Sequence, residues 1–324
     1  MRNKPAARAL DKHVVQGEKW RRNLRLFMPQ TSRPLAAALW MLGAITGFVS
    51  MAIAGREVAP FHDTFEIMTY RSVIGLVIVL VAALVTGQMR HIRARNLGRH
   101  ALRNAFHFTG QNLWFYALTI IPLAQLFAVE FSYPIMVALA APFVLGERLT
   151  PVRVVAAGLG FLGVLIAADP WAAGGLSPGI LIALGAAVGF AGSALVTKQL
   201  TRLAPMIEIL FWLTVFQLIF GLVLAGYDGV IAPPSAASAL WLLLIGIAGL
   251  GGHFCLTRAL SLAPASVVAP IDFLRLPIIG IVGMMLYDEP LQAAVFFGGA
   301  VIFTATWLTI RSEGRARRAL TGKV

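Results

Sequence analysis

Long stretches without a charge alternate with short polar ones along most of this chain, and that alternation sets its elements. Runs free of Asp, Glu, Lys and Arg span residues 34–55, 72–89, 104–129, 131–146, 154–168, 170–197, 209–227, 229–257, 259–271, 276–287 and 290–310. Divided at Gly- and Pro-rich turns, they predict helices over 35–54, 65–87, 100–119, 123–145, 150–168, 178–198, 206–226, 237–258, 266–286 and 291–310. Each is close to the roughly 20 residues needed to cross a hydrocarbon core about 30 Å thick. The expected fold class is an all-α integral membrane protein with ten transmembrane helices.

The same pattern occurs twice. Residues 110–149 recur as 252–291, with every landmark displaced by 142 positions: Ala117 and Ala259, Leu118 and Leu260, Pro122 and Pro264, Phe131 and Phe273, Glu147 and Glu289, Leu149 and Leu291. An acid recurs as well, Glu130 against Asp272, and the offset extends back without a gap to Gly47-Phe48 and Gly189-Phe190, and to Glu66-Ile67 and Glu208-Ile209. Two copies of one five-helix unit make the chain.

Composition agrees with a membrane protein: 58% of residues are hydrophobic and 13% charged, with a mean hydropathy of +0.79. A net charge of +13 would indicate nucleic acid if it formed one folded patch. The basic residues lie instead in the tails and in alternate connections, so no nucleic-acid partner is expected. The one cysteine, Cys255, lies in a hydrophobic run, which leaves no intramolecular disulfide. No phosphate-binding G-x-x-x-x-G-K-[ST] loop is present.

Charge also orients the helices. With the N-terminus inside, 24 of the 27 Lys and Arg fall on inner segments, nine of them in the N-terminal tail and five after the second helix (Arg90, Arg93, Arg95, Arg99, Arg103). The outer loops hold only Arg56, while Arg71 and Arg275 lie within helices. Short basic loops stay inside, so both termini are expected in the cytosol. Five helices per copy is an odd number, so the second copy enters from the opposite side and the repeats are inverted, as in secondary transporters. The expected organisation is a basic cytosolic tail at 1–34, a first repeat at 35–168, a second at 178–310 and a basic cytosolic tail at 311–324. The N-terminal tail is either disordered or rests a weakly amphipathic piece around Trp20, Leu24 and Phe27 on anionic lipid.

Several motifs join this pattern. Tyr70-Arg71 opens the second helix, Leu113 to Pro122 forms a Leu-x-x-x-Ala-Leu-x-x-x-Pro turn, and Leu145 to Leu149 reads Leu-Gly-Glu-Arg-Leu. Together with a proline in the fourth helix and the double repeat, they resemble the bacterial drug/metabolite transporter superfamily, EamA type, over about residues 35–310. The second copy departs from the pattern: Tyr287-Asp288-Glu289-Pro290 replaces the Gly-Glu-Arg run, and Leu213 stands where Arg71 has its counterpart. The resemblance implies a carrier of small organic molecules such as amino acids, vitamins, nucleotide-like metabolites or drugs, without choosing among them.

A charge inside a membrane helix costs about 2.5–3.5 kcal/mol on insertion scales, so Arg71, Glu130, Asp272 and Arg275 each require a role. Arg71 and Glu130 lie roughly 9 and 10 Å from the same side at ~1.5 Å per residue, which predicts an ion pair in the outer half. The alternative is that Arg71 snorkels outward or pairs with Glu66, and Glu130 is hydrogen-bonded elsewhere. Asp272 and Arg275, three residues apart, share a helix face towards the cytosolic side and form a self-neutralised pair, or Arg275 takes an anionic group of the substrate. Gln111, Asn112 and Trp114 on the third helix, Tyr133 beside Glu130, and His253 on the eighth complete the candidate cavity. Gln111 and His253 occupy equivalent repeat positions. Interhelical hydrogen bonding is the plainer role for His253, and for His107, which lies on the same helix as Gln111.

Pro134, Pro142, Pro270 and Pro277 are candidate hinges of the fourth and ninth helices, since each removes a backbone donor. Gly43 and Gly47, mirrored by Gly185 and Gly189, have the spacing of close helix crossings. Glu147 and Glu289 sit at helix–loop boundaries, where capping is the plainer role. Two histidines without a third ligand make no metal site, and no cofactor or catalytic residue is expected.

The resulting expectation is a secondary transporter, working in efflux or uptake, that moves a small organic metabolite or drug across the cell inner membrane by alternating access. Its expected partners are that substrate and the lipid bilayer, with protons a candidate coupling ion and a homodimer a candidate assembly. The rival from another class is a membrane-embedded enzyme acting on a lipid-linked substrate. The rival requires polar groups clustered at one interface, whereas a carrier requires them along a central tunnel.

Overall fold

The computed structural model describes residues 33–145, 150–169, 176–227, 229–263 and 265–321, without the side chains of 265, 266, 270 and 313–321. Most of the N-terminal tail, Gly146 to Leu149 with Glu147, and Pro264 lie outside the described residues. All regular structure among them is helical: α1 Pro34–Val58, α2 Thr64–Val85, α3 Leu97–Ile120, α4 Leu123–Glu130, α5 Tyr133–Leu145, α6 Pro151–Ala168, α7 Pro178–Leu200, α8 Met206–Ala225, α9 Ala236–Leu262, α10 Ala265–Asp272, α11 Arg275–Tyr287 and α12 Ala293–Thr321. Proline in the first turn starts α1, α6 and α7, where a missing N–H costs nothing. A capping box closes the start of α2, Asp63 accepting from Phe65 N and Glu66 N at 2.7 and 2.8 Å.

Among the described residues eight helical segments are long and apolar enough to cross a membrane, with α4 and α5 together counting as one, Leu123–Leu145. The long helix α3 falls short on composition, because it carries His100, Asn104, His107, Gln111 and Asn112. All five are buried within the protein, so α3 has its polar groups turned away from lipid. The last helix runs on to Thr321, past the predicted end at 310, because Arg311 to Thr321 contains no proline to stop it.

Two predicted helices are broken, and broken at equivalent places. The segment expected over 123–145 divides after Glu130, and that over 266–286 divides after Asp272. Residues 131–132 and 273–274 form the breaks, so the continuous, kinked helices expected from the prolines are corrected to pairs of half-helices. Pro134 has no N–H to donate to Glu130 C=O, and Pro277 none for Phe273 C=O, so the helical ladder lapses beside each break. Pro142 sits inside α5 without interrupting it, and Pro270 falls within the span of α10, its side chain outside the described residues.

The helices pack in pairs: α1 on α9, α3 on α7, α2 on α8 and α6 on α12. Shifting every residue by 142 exchanges the first two pairs and returns the other two to themselves. The crossings depend on glycine. A Cβ on Gly189 of α7 would lie 2.6 Å from Gly110 Cα of α3, and one on Gly47 of α1 would lie 3.0 Å from Gly252 Cα of α9. Gly110 and Gly252 are themselves 142 positions apart, so the same contact is built twice.

A backbone clamp also occurs twice. Glu66 accepts from Ala232 N at 2.5 Å, and Tyr70 donates to Ala232 C=O at 2.6 Å. Glu208 accepts from Arg93 N at 3.3 Å, and Trp212 donates to Arg93 C=O at 2.9 Å. In each, an acid and an aromatic four residues apart hold both polar groups of one loop residue, which a loop over an apolar bundle needs satisfied.

Candidate functional site

On α3 the side chains of Arg103, His107, Gln111 and Trp114 recur every three or four residues. They therefore share one face, over roughly 16 Å at ~1.5 Å per residue. That face borders a cavity of about 460 Å³, closed laterally by Phe48 and Met51 of α1, Phe190, Ser193 and Thr197 of α7, and His253 of α9. The cavity reaches the face of the bundle where α3 begins and α7 ends, lined there by exposed Lys198 and Thr201.

The two helix breaks bring Glu130, Tyr133, Asp272 and Arg275 to the other end. Arg275 Nη2 donates to Glu130 Oε1 at 3.2 Å, and its Nε lies 3.8 Å from Asp272 Oδ1, beyond hydrogen-bonding distance. Trp114 Nε1 donates to the second Glu130 oxygen at 2.7 Å. The guanidinium also lies 4.9, 5.1 and 4.8 Å from the ring centres of Phe48, Phe127 and Phe131. Attraction to two carboxylates and three π faces offsets the desolvation of a group left only 5% exposed.

Of the residues expected in the cavity, Gln111, Trp114, Glu130, Tyr133, His253, Asp272 and Arg275 line it. Arg71 and Asn112 do not. Asn112 lies one residue beyond Gln111, about 100° further round the helix, and donates to Phe108 C=O at 2.8 Å. The Arg71–Glu130 pair predicted from matched depth is not formed. Equal depth does not bring two helices side by side: α2 packs on α3, α8 and α9, and the Arg71 guanidinium rests against Gly249, with Nη1 3.8 Å from Met68 Sδ.

Glu130 and Asp272, expected on opposite sides of the midplane, converge instead on one arginine. Both α4 and α10 are eight residues long, about 12 Å. Each ends beside the same guanidinium, well short of crossing a ~30 Å core.

At the opposite end of the bundle the chain is tied shut. Arg56, at the end of α1, donates to Leu118 C=O and to Ile121 C=O, pairs with Glu289, and lies 4.8 Å from the centre of the Tyr287 ring. Glu289 also accepts from Leu123 N at 2.8 Å, capping α4, and Tyr287 donates to Glu57 at 2.9 Å. One cation thus joins α1, the end of α3 and the loop after α11. Beyond it lies an open vestibule of about 900 Å³ that Arg56 and Glu289 both line.

Sequence reasoning missed Arg103 as a cavity residue and Arg56 as the tie. Arg103 was grouped with the basic connection, although its spacing from His107 and Gln111 was visible. Arg56 carried a signal too, as the single basic residue of its set of loops.

A hydrogen-bonded Ser–His–Glu chain does exist: His62 Nε2 is 2.9 Å from Ser238 Oγ, and Nδ1 is 3.1 Å from Glu66. Ser238 is 0% exposed, so no substrate reaches it, and the chain instead ties α2 to α9. Among the described residues no three His, Cys, Asp or Glu side chains are placed to hold a metal ion.

Among the described residues, helices long and apolar enough to cross a membrane surround a polar central cavity. The EamA-like transporter family matches residues 35–168 and 177–311, and the chain belongs to that family, within the drug/metabolite transporter superfamily. Similar proteins include a riboflavin transporter of Rhizobium johnstonii, 28% identical over 298 residues, covering 89% of this chain and 95% of the relative. A riboflavin transporter of Brucella anthropi is 31% identical over 253 residues, covering 77% and 88%. An S-adenosylmethionine uptake transporter of Rickettsia conorii is 26% identical over 277 residues, covering 86% and 93%. A solved crystal structure shares the fold at a TM-score of 0.59 and 21% identity, covering 87% of this chain and 98% of that one.

Proposed function

We propose that the chain is a ten-span secondary carrier of the cell inner membrane, with both termini cytosolic. In this reading residues 35–168 and 178–310 are inverted repeats, and a small nitrogen-heterocyclic metabolite bound in the central cavity passes between them by alternating access. The duplicated glycine crossings and duplicated backbone clamps support the repeats. The excess of Lys and Arg on alternate connections supports the orientation. The relatives' names support the substrate class, since riboflavin and S-adenosylmethionine both join a flat nitrogen heterocycle to a hydroxylated five-carbon unit.

The observation that carries the reading is the asymmetry of access. The cavity meets the face bearing Lys198 and Thr201, whereas Arg56 and Glu289 tie the other face. In the orientation proposed, this conformation is open to the cytosol and closed outside. Two carboxyls around one guanidinium also offer a place for an exchanged proton, which makes protons the candidate coupling ion.

Uptake of riboflavin and of S-adenosylmethionine into proteoliposomes, with and without a pH gradient, tests the reading. Transport of at least one is expected. Transport of neither contradicts the substrate class, and accumulation indifferent to the gradient removes proton exchange.

A further inference from the structure

Buried charges in proteins are almost always paired, because an uncompensated one forfeits its hydration. Two arginines here lack a carboxylate partner among the described residues, Arg71 buried and Arg103 half-buried. Arg71 is 8% exposed, and its Nη1 donates to the Met68 thioether sulfur at 3.8 Å. Arg103 donates from Nε to Thr197 Oγ1 at 3.1 Å and from Nη1 to Asn104 Oδ1 at 2.9 Å. Both acceptors are neutral, and Nη2 has no acceptor among the described residues. Neither guanidinium has a carboxylate within ion-pairing distance among them.

The two arginines belong to one region. Arg71, Arg103, His107 and His253 lie within electrostatic range of one another, and the two imidazole rings are 6.2 Å apart. Arg103, His107 and His253 line the cavity, while Arg71 lies behind that wall against Gly249. The acids Glu130 and Asp272 stand at the other end, gathered around Arg275. The cavity is therefore polarised, with a basic wall near its mouth and an acidic floor. Arg275, the sequence's candidate for an anion, is already flanked by carboxylates. The unspent positive charge is at the wall.

We propose that the wall formed by Arg103, His107 and His253 binds an anionic group of the substrate, a carboxylate or a phosphate ester, with Ser193 and Thr197 hydroxyls beside it. Arg103 makes the contact through its open Nη2 edge, which suits an oxyanion. Arg71 contributes positive potential from behind. Arg103 lies roughly 16 Å from the Trp114–Glu130 end at ~1.5 Å per residue of α3, so one molecule can carry its anion at Arg103 and its N–H donors to Glu130 and Asp272. This inference rests on the heterocyclic substrate class proposed above and narrows it to members bearing an anion.

Two pairs of probes that differ in one anion test it on the purified full chain. They are riboflavin against riboflavin 5′-phosphate, and adenosine against adenosine 5′-monophosphate. The anionic member of at least one pair is expected to bind about tenfold or more tighter. Arg103→Gln should abolish that preference while leaving the neutral member within about twofold, and Arg103→Lys should keep most of it. Should Arg103→Gln fail to fold, Thr197→Glu places a carboxylate beside the guanidinium and should remove the preference in the same way.

Neutral members bound as tightly as anionic ones would overturn the anion site and leave the substrate class standing. An equal loss for both members in Arg103→Gln would also overturn it, by giving Arg103 a purely structural role. Inorganic phosphate bound as tightly as the ester would assign the wall to a free ion rather than the substrate. Binding of none of the four removes the substrate class, and this assignment with it.

Discussion

Arg275, from the second half of the chain, donates to Glu130 of the first half across 3.2 Å, at the point where both broken helices end. The contact joins the two halves at the floor of the cavity. It also gives each helix break a chemical purpose, because an unbroken helix at either place would carry its charge past the other.

Removing Arg275 leaves two carboxylates around an empty position. Arg275→Ala is therefore expected to lose about 3–5 kcal/mol of stability or to abolish transport. Arg275→Ala with Glu130→Gln should recover part of the loss, because the stranded charge is removed with its partner. Thermal unfolding in detergent of the single and double variants checks this. A double variant as unstable as the sum of the singles would show that the residues act independently.

The glycine crossings predict a graded response. Gly189→Val drives a side chain onto Gly110, where even a Cβ would sit at 2.6 Å. It should cost about 1–3 kcal/mol or more by overpacking. Gly47→Val should do the same at the equivalent crossing. Gly158→Ala on α6 meets nothing within 4 Å and should stabilise by about 0.5–1 kcal/mol through helix propensity. Melting temperatures of the three variants provide the comparison.

Much of this fold was legible in the sequence because membrane crossing leaves a strong imprint. Apart from the end of the last helix, apolar runs located the helix boundaries to within a few residues, and the repeat anticipated that Glu130 and Asp272 would occupy equivalent places. The lateral arrangement of helices was not legible. Hydropathy and depth locate a residue along the membrane normal, which is why Arg71 was matched to Glu130, although α2 packs on α8. The helix breaks were also hidden, since Phe131-Ser132 and Phe273-Leu274 carry no glycine or proline of their own. Arg103 shows a third limit: an arginine near the end of a predicted helix reads as loop charge until the neighbouring helix is in view.

The tie at the closed end predicts a change of access. Gly283 has room for no side chain, since a Cβ there would come within reach of the Glu289 carboxylate. Gly283→Ala should therefore displace Glu289 as Glu289→Gln weakens it, and Arg56→Ala should remove the tie altogether. Each should leave Thr119→Cys, in the open vestibule, labelled as before and admit reagent from that side to Ala194→Cys on the cavity wall. Labelling of Ala194→Cys unchanged in all three variants would show that other packing keeps this end closed.

The most direct measurement concerns which side of the membrane the cavity faces. With Cys255→Ser as background, Ala194→Cys places one thiol on the cavity wall, reported by a membrane-impermeant maleimide. In the absence of substrate, the cysteine should be labelled in inside-out vesicles and protected in right-side-out ones. Thr119→Cys should show the reverse. Labelling of Ala194→Cys from the outside, with protection from the cytosolic side, would contradict the orientation and the inward-open state together.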